Sequence, residues 1–187
     1  MNLLEIERLT VSFHRRDGLM RRVAIDCIRD VSLAVARGEV LALFGASGAG
    51  KSLLAHAVMG LLPPNALAGG AMRFDGRVLD QGAQAALRGN RIALIPQSVA
   101  HLDPLATVGQ QLRWSARRAR HPLTAPGAVE GALSHFDLAP AIAGTFPHML
   151  SGGMARRVML AMTTASGADL VIADEPSNGL DAENTAR

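Results

Sequence analysis

The chain has 187 residues, of which 49% are apolar, 19% charged and 3% aromatic, and its formal net charge is +3. This length suits one domain with room for an inserted subdomain, and no apolar run approaches the ~18 residues that span a bilayer. The single cysteine, Cys27, excludes an internal disulfide and a cysteine-built metal site, and the acidic N-terminus is not expected to be a secretory signal.

The basic residues are almost all arginine, which raises the sequence pI to about 10.3 without creating a strong field. Two clusters stand out: Arg15, Arg16, Arg21 and Arg22, and Arg113, Arg117, Arg118 and Arg120. With only 3% aromatic residues, the chain has no stacking platform for single-stranded nucleic acid. We therefore interpret both clusters as solvated faces or protein contacts and predict no nucleic-acid partner.

In the N-terminal half, alternating apolar residues predict strands over 9–13 and 31–35, separated by a polar, arginine-rich segment from His14 to Arg22. The apolar run 40–44 predicts a buried strand that leads into a glycine-rich loop. Residues 53–59 predict the helix that follows this loop.

In the C-terminal half, residues 72–78 predict a hairpin strand and a turn, and residues 92–96 predict a buried strand that ends at Gln97. Helical patterns broken by proline and glycine cover residues 107–120 and 128–142. The remaining elements are a helix that follows residues 151–153 and runs to about residue 165, and an apolar strand over 170–173.

The glycine-rich loop has the form G-x-x-x-x-G-K-[ST], and its lysine is the only one in the chain. Its residues are Gly45, Ala46, Ser47, Gly48, Ala49, Gly50, Lys51 and Ser52. Glycines let backbone N–H groups turn towards a phosphate, and the following helix adds the positive end of its dipole. The compact Lys51 ammonium can reach the β- and γ-phosphates, and the Ser52 hydroxyl can ligate Mg²⁺.

The alternative for this loop is a glycine-rich turn without function. A chance match to the pattern in a chain of this composition is roughly one in a thousand. The sequence therefore predicts that the protein binds a nucleotide.

A second motif follows the apolar strand 170–173, which ends in Asp174 and Glu175. The carboxyl end of a buried parallel strand faces the ligand crevice of an α/β fold. There Asp174 would hold Mg²⁺ through water, and Glu175 would polarise the water that attacks the γ-phosphate. Acidic residues also end many strands without any function, so the motif is informative only together with the phosphate loop.

The segment between the two motifs reads Leu150-Ser151-Gly152-Gly153-Met154. Here the chain resembles the ATPases of ATP-binding cassette (ABC) transporters, whose signature has the form LSGGQ. Features in the order of that family are the phosphate loop, Gln97, the signature, Asp174-Glu175, and a D-loop over residues 177–181. Without the other motifs, Ser-Gly-Gly would also be an ordinary helix N-cap.

The resemblance implies an α/β P-loop NTPase fold with an N-terminal antiparallel β subdomain and an inserted helical subdomain. The ABC ATPase domain would cover residues 1–187. Its nucleotide-binding core would comprise about 1–97 and 167–187, and its helical subdomain about 98–166.

The resemblance also assigns roles to individual residues. Gln97 would serve catalysis and ligate Mg²⁺, and Ser151, Gly152 and Gly153 would close over an ATP held by a second subunit. Phe13 would stack on the adenine, although an ordinary core aromatic is an equal alternative.

Finer features resemble importers of peptides, nickel and metallophores: the arginine-rich insertion after Phe13, the run 102–109, residues 146–148, and Met154 in place of glutamine. This implies transmembrane permease subunits, a second ABC ATPase subunit in a homodimer or heterodimer, and indirectly an extracytoplasmic solute-binding protein. The protein would then be peripheral, at the cytoplasmic face of the inner membrane. A metal site at His148, Met149 and Met154 is rejected, since in this family the cargo passes through the membrane subunits.

The chain departs from the family after the D-loop, because the histidine that contacts the γ-phosphate, and its strand, should follow. We expect a C-terminally truncated chain, a fragment of a longer product rather than a natural inactive copy. Residues 1–187 alone should hydrolyse ATP negligibly. The competing hypotheses are a soluble ABC ATPase that acts on DNA or ribosomes, and a non-hydrolysing nucleotide-binding module. The sequence leaves the cargo open.

Overall fold

The computed structural model describes residues 2–17, 21–46, 48–118 and 123–175. The chain forms two compact units, Met1–Arg88 and Gly89–Arg187. The division into a core and a helical subdomain stays a prediction. A search of the described residues finds no helix that is both long enough and apolar enough to cross a membrane.

The first unit contains an antiparallel sheet with the strand order β2-β1-β3-β4. Its strands are β1 (Asn2–Asp17), β2 (Arg21–Ala36), β3 (Ala66–Phe74) and β4 (Arg77–Val78). The predicted strands over 9–13 and 31–35 are confirmed, but the predicted polar break between them is too long, since Asp17 pairs with Arg21. An antiparallel pair tolerates polar residues because one face of the sheet can be solvated.

The hairpin between β3 and β4 confirms the predicted turn after residue 74. Its two loop residues, Asp75 and Gly76, have φ values of 54° and 75°, as a two-residue hairpin loop with the twist of the sheet requires. The Arg37 guanidinium donates to the Asp75 carboxylate at 2.9 Å, which ties this turn to the residue after β2.

The helix that follows the phosphate loop, α1 (Lys51–Met59), is also confirmed. Its carbonyl end receives bonds from α2 (Gln81–Leu87) and the residue after it. The Gln84 side chain donates to the Ala57 carbonyl at 2.8 Å, and Arg88 Nε donates to the Met59 carbonyl at 2.9 Å. These bonds satisfy carbonyls that a helix end otherwise leaves open, so α1 is held firmly within its unit.

The predicted buried strand over residues 40–44 is wrong. The segment forms no strand, and Val40 and Phe44 are each 94% exposed. A parallel strand needs hydrogen-bonding neighbours and covered faces, and within the described ranges no strand pairs with this segment.

The second unit contains a parallel pair of strands, β5 (Ile92–Ile95) and β6 (Leu170–Ala173), as predicted. The residues that precede the two strands are joined by two hydrogen bonds. Arg91 Nε donates to the Asp169 carboxylate at 2.5 Å, and the Asp169 amide donates to the Arg91 carbonyl. β5 is largely buried, but in β6 only Leu170 is buried and Val171 is 47% exposed. The expectation of a buried parallel strand therefore holds only for Leu170, since β5 is the only pairing neighbour of β6 among the described residues.

The other described residues of this unit include three α-helices that share an apolar core. Its helices are α3 (Val108–Ser115), α4 (Ala128–Ser134) and α5 (Gly152–Ala165). Leu112, Leu133 and Val158, one from each helix, are fully buried in one cluster. The predicted helix over 128–142 ends at residue 134, because Asp137 takes a positive φ and Pro140 starts a separate 3₁₀ turn.

Candidate functional site

The described part of the phosphate loop forms a tight turn that delivers the chain into α1. Gly48 and Gly50 take left-handed φ values of 81° and 88°, which glycine adopts without strain. The Ala49 amide donates to the Ala46 carbonyl at 3.1 Å. Ser47 lies outside the described residues. The first turn of α1 contains no acidic residue. No carboxylate of that turn therefore compensates the positive end of the helix dipole, which favours a bound anion.

The Lys51 side chain lies back over this loop. Its Nζ donates to the carbonyls of Gly45 at 2.8 Å and Ala46 at 3.0 Å. The ammonium therefore sits above the turn, at the helix end where a phosphate would bind. Backbone carbonyls are neutral acceptors, and the negatively charged oxygens of a phosphate compete well for the same N–H groups.

Gly50 also lies against the first unit's sheet. A Cβ atom at this position would be 3.0 Å from the Cys27 carbonyl oxygen and 3.2 Å from Ile28 Cγ1. At Gly50 the loop is thus packed directly against residues of β2. Gly48 has a similar φ, but no atom lies within 4 Å of the Cβ it would gain.

This difference makes a matched pair of variants. Gly50→Ala is expected to destabilise the first unit more than Gly48→Ala, because both introduce left-handed strain of about 1–2 kcal/mol but only Gly50→Ala adds a backbone clash. Urea unfolding followed by circular dichroism measures the difference. Equal losses for the two variants would contradict the proposed contact with β2.

In the second unit, the polar residues after β5 and β6 come together. The Asp174 amide donates to the Ile95 carbonyl at 3.0 Å, which extends the parallel pairing by one residue. Gln97 Nε2 then donates to Glu175 Oε2 at 2.5 Å. Glu175 has a φ of 49°, an uncommon conformation for a residue with a side chain.

This arrangement leaves the two ends of the Gln97 amide with different roles. Its N–H₂ group faces the Glu175 carboxylate, and its oxygen is the atom that can ligate a cation. Gln97 and Glu175, which the sequence placed in one site, are therefore direct neighbours. No cluster of three or more His, Cys, Asp or Glu able to hold a metal occurs in the described part of the chain.

The signature segment forms the start of α5. Ser151 is the N-cap, and its hydroxyl accepts from the Met154 amide at 3.2 Å. Gly152 and Gly153 form the first turn, and a Cβ atom at either position would meet nothing within 4 Å. Ser151 and Gly152 are exposed, so the amides of this helix end are accessible to an anion from outside the unit.

The remaining predicted site residues are Phe13, Ser52 and the D-loop. Phe13 is half-buried in β1, where it pairs with Ile25 of β2 and Ala66 of β3. Ser52 lies in the first turn of α1. The predicted D-loop, 177–181, lies outside the described residues.

Sequence reasoning missed a contact of Arg156, whose Nη2 donates to the Gln97 carbonyl at 3.0 Å. Arg156 is only 6% exposed and stands next to Arg157, which looks identical in the sequence. The helical period does distinguish the two arginines, because it places Arg156 on the buried face of α5, together with Ala155 and Val158.

A phosphate loop at the start of a helix and a carboxylate pair at the end of a parallel strand define an α/β P-loop protein. Comparison with known families makes the class specific: the model of the family described as ABC transporter matches residues 28–178. The chain belongs to the ABC transporter family.

Similar proteins include ATP-binding proteins of transport systems. The chain is 37% identical to the oligopeptide transport ATP-binding protein OppD of Lactococcus lactis subsp. cremoris (strain SK11), over 96% of this chain and 54% of that protein. It is 39% identical to the uncharacterized ABC transporter ATP-binding protein YejF of Escherichia coli (strain K12), over 96% and 35%. It is 33% identical to the glutathione import ATP-binding protein GsiA of the same strain, over 96% and 30%. The chain thus spans about half or less of these relatives.

The fold is that of ABC ATPase cassettes. A dimeric, post-hydrolysis structure of the ATP-binding cassette MJ0796 bound to ADP and Pi superimposes with a TM-score of 0.79. The match covers 98% of this chain and 78% of that chain at 23% identity. The predicted fold class is confirmed.

Proposed function

We propose that this chain is part of the ATP-binding subunit of an ABC importer, which couples ATP hydrolysis to the uptake of a small solute. The observation that carries the proposal is the phosphate loop, which turns on Gly48 and Gly50 and brings the Lys51 ammonium to the N-terminus of α1. The direction of transport rests on relatives named for oligopeptide transport and glutathione import.

In this proposal the loop from Gly45 to Ser52 binds the phosphates of ATP. Its amides and the end of α1 neutralise negative charge, and Lys51 exchanges the carbonyls of Gly45 and Ala46 for phosphate oxygens. Phe13 stacks on the adenine. A phosphate would give the ammonium a fully charged partner in place of two neutral carbonyls.

The side-chain chemistry of the predicted ligands suits a magnesium ion. Ser52, Gln97 and Asp174 offer hydroxyl, amide and carboxylate oxygens, the donors that Mg²⁺ prefers. When bound, the ion neutralises charge on the β- and γ-phosphates.

Glu175 is the group that accepts the proton from the attacking water. Its carboxylate already engages the Gln97 N–H₂ group at 2.5 Å, which fixes the orientation of the base. Glu175 and Gln97 thus act as one unit.

The accessible start of α5 supports a second ATPase subunit as partner. Ser151, Gly152 and Gly153 present amides at an open helix end, and the dipole there favours the γ-phosphate of an ATP held by the other protomer. The site is complete only in a homodimer or heterodimer.

The full protein would act at the cytoplasmic face of the inner membrane with transmembrane permease subunits, and indirectly with an extracytoplasmic solute-binding protein. The names of the similar proteins favour peptides as cargo. Nickel or a metal chelate is the alternative of the same importer subgroup.

The proposal predicts ATP-dependent uptake of peptide by the assembled transporter. The full-length protein, reconstituted with its permease in vesicles, should concentrate a labelled oligopeptide when MgATP and the binding protein are supplied. Accumulation should stop with a non-hydrolysable ATP analogue. ATP hydrolysis without uptake of peptide, glutathione or nickel chelate would favour a soluble ABC ATPase, and absence of hydrolysis would favour a nucleotide-binding module.

A further inference from the structure

We infer that Arg156 is a positioning residue that fixes Gln97, and through it Glu175, to the signature helix. Arg156 lies on α5, five residues after Ser151, and its side chain is almost completely buried. Its Nη2 atom donates to the main-chain carbonyl of Gln97 at 3.0 Å. This inference rests on the proposed function.

The chemistry of arginine suits this role. A guanidinium stays charged at any physiological pH, and burial is tolerated only where its donors are satisfied. A charge-assisted bond to a carbonyl is stronger than a neutral one. Because the acceptor is a main-chain atom, the bond fixes the backbone of Gln97 and leaves its side chain available for other contacts.

The Gln97 side chain makes the next link. Its Nε2 donates to Glu175 Oε2 at 2.5 Å, so a continuous set of bonds runs from α5 through Gln97 to the carboxylate. α5 carries Ser151, Gly152 and Gly153 at its start. A displacement of this helix, for example when its N-terminus engages an anion, is therefore transmitted to the orientation of Glu175.

The neighbouring arginine provides a matched control. Arg157 is half-buried, and its Nη1 donates to the Asp137 carbonyl at 3.1 Å, in the turn that follows α4. Its contact thus joins α5 to the helical core rather than to Gln97. The same substitution at the two positions removes the same charge from the same helix.

The first test measures the contact without any need for activity. In the full-length, nucleotide-free protein, Arg156→Gln should increase amide hydrogen exchange of residues 97–101 about tenfold or more, whereas Arg157→Gln should leave this segment unchanged. Arg156→Lys, which keeps a charged donor, should restore part of the protection. Unchanged exchange in Arg156→Gln, or an equal rise in both glutamine variants, would overturn the inference.

The second test separates positioning from general destabilisation. Arg156→Gln should lower kcat for MgATP on the order of tenfold, equivalent to about 1.4 kcal/mol, with KM nearly unchanged, because the phosphate loop is intact. Arg157→Gln should keep the wild-type kcat. A fall in melting temperature with wild-type kcat would show a merely structural role. If the wild-type protein does not hydrolyse ATP, the proposed function fails, and the exchange experiment still decides the contact.

Discussion

Replacing Lys51 with alanine is expected to abolish measurable binding of MgATP. Lys51 is the only lysine among these 187 residues, and its ammonium already lies over the phosphate loop on the carbonyls of Gly45 and Ala46. Charge-assisted bonds contribute roughly 1.5–3 kcal/mol each, so losing two bonds to phosphate oxygens should weaken binding about 10²- to 10⁴-fold. Isothermal titration calorimetry of the full-length protein measures this loss.

Two further variants show whether the effect belongs to this ammonium. Arg29→Ala removes an exposed positive charge of the same unit. Arg29 pairs locally, with Asp26 three residues earlier in the chain, so this variant should leave ATP affinity unchanged. Lys51→Arg should also bind poorly, because a planar guanidinium cannot occupy the place of a compact ammonium. Micromolar affinity in Lys51→Ala would refute the assignment of the loop.

Elements whose signals are local were predicted well. The helix α1 follows from glycines and an apolar run, the β3–β4 turn follows from Asp75-Gly76, and the ends of β5 and β6 follow from short apolar runs before polar residues. These signals depend on neighbours in sequence. The exposed run 40–44 could not be predicted in this way, because burial of a strand depends on a distant partner.

The candidate site shows the same difference between local and distant signals. Lys51, Ser151 and Asp174-Glu175 were predicted from motifs whose residues lie side by side in the chain. The bond from Arg156 to Gln97 joins residues 59 positions apart, and no pattern in the sequence marks it. Periodicity places Arg156 on the buried face of α5, but only the folded chain shows which carbonyl it contacts.

Glu175→Gln is expected to keep MgATP affinity and to lose at least about 10²-fold in ATP turnover, the contribution typical of a general base. Glutamine has the same shape but cannot accept a proton from water. Gln97 retains an acceptor, since the new amide can present its oxygen to the Nε2 atom that now engages Oε2. In the proposed function, ATP is bound by the phosphate loop through Lys51 and the end of α1, which this substitution does not alter. Single-turnover hydrolysis by the full-length protein, with affinity measured separately, tests both halves.

A matched control lies at the opposite end of the same strand. Asp169→Asn also neutralises a carboxylate beside β6 and weakens its ion pair with Arg91, so it should lower stability and leave the rate per folded molecule close to wild type. If Glu175→Gln turned over ATP at the wild-type rate, the proton would be going to another group. Gln97 would then retain a role with magnesium alone, and the bond from Arg156 would orient a cation ligand rather than the base.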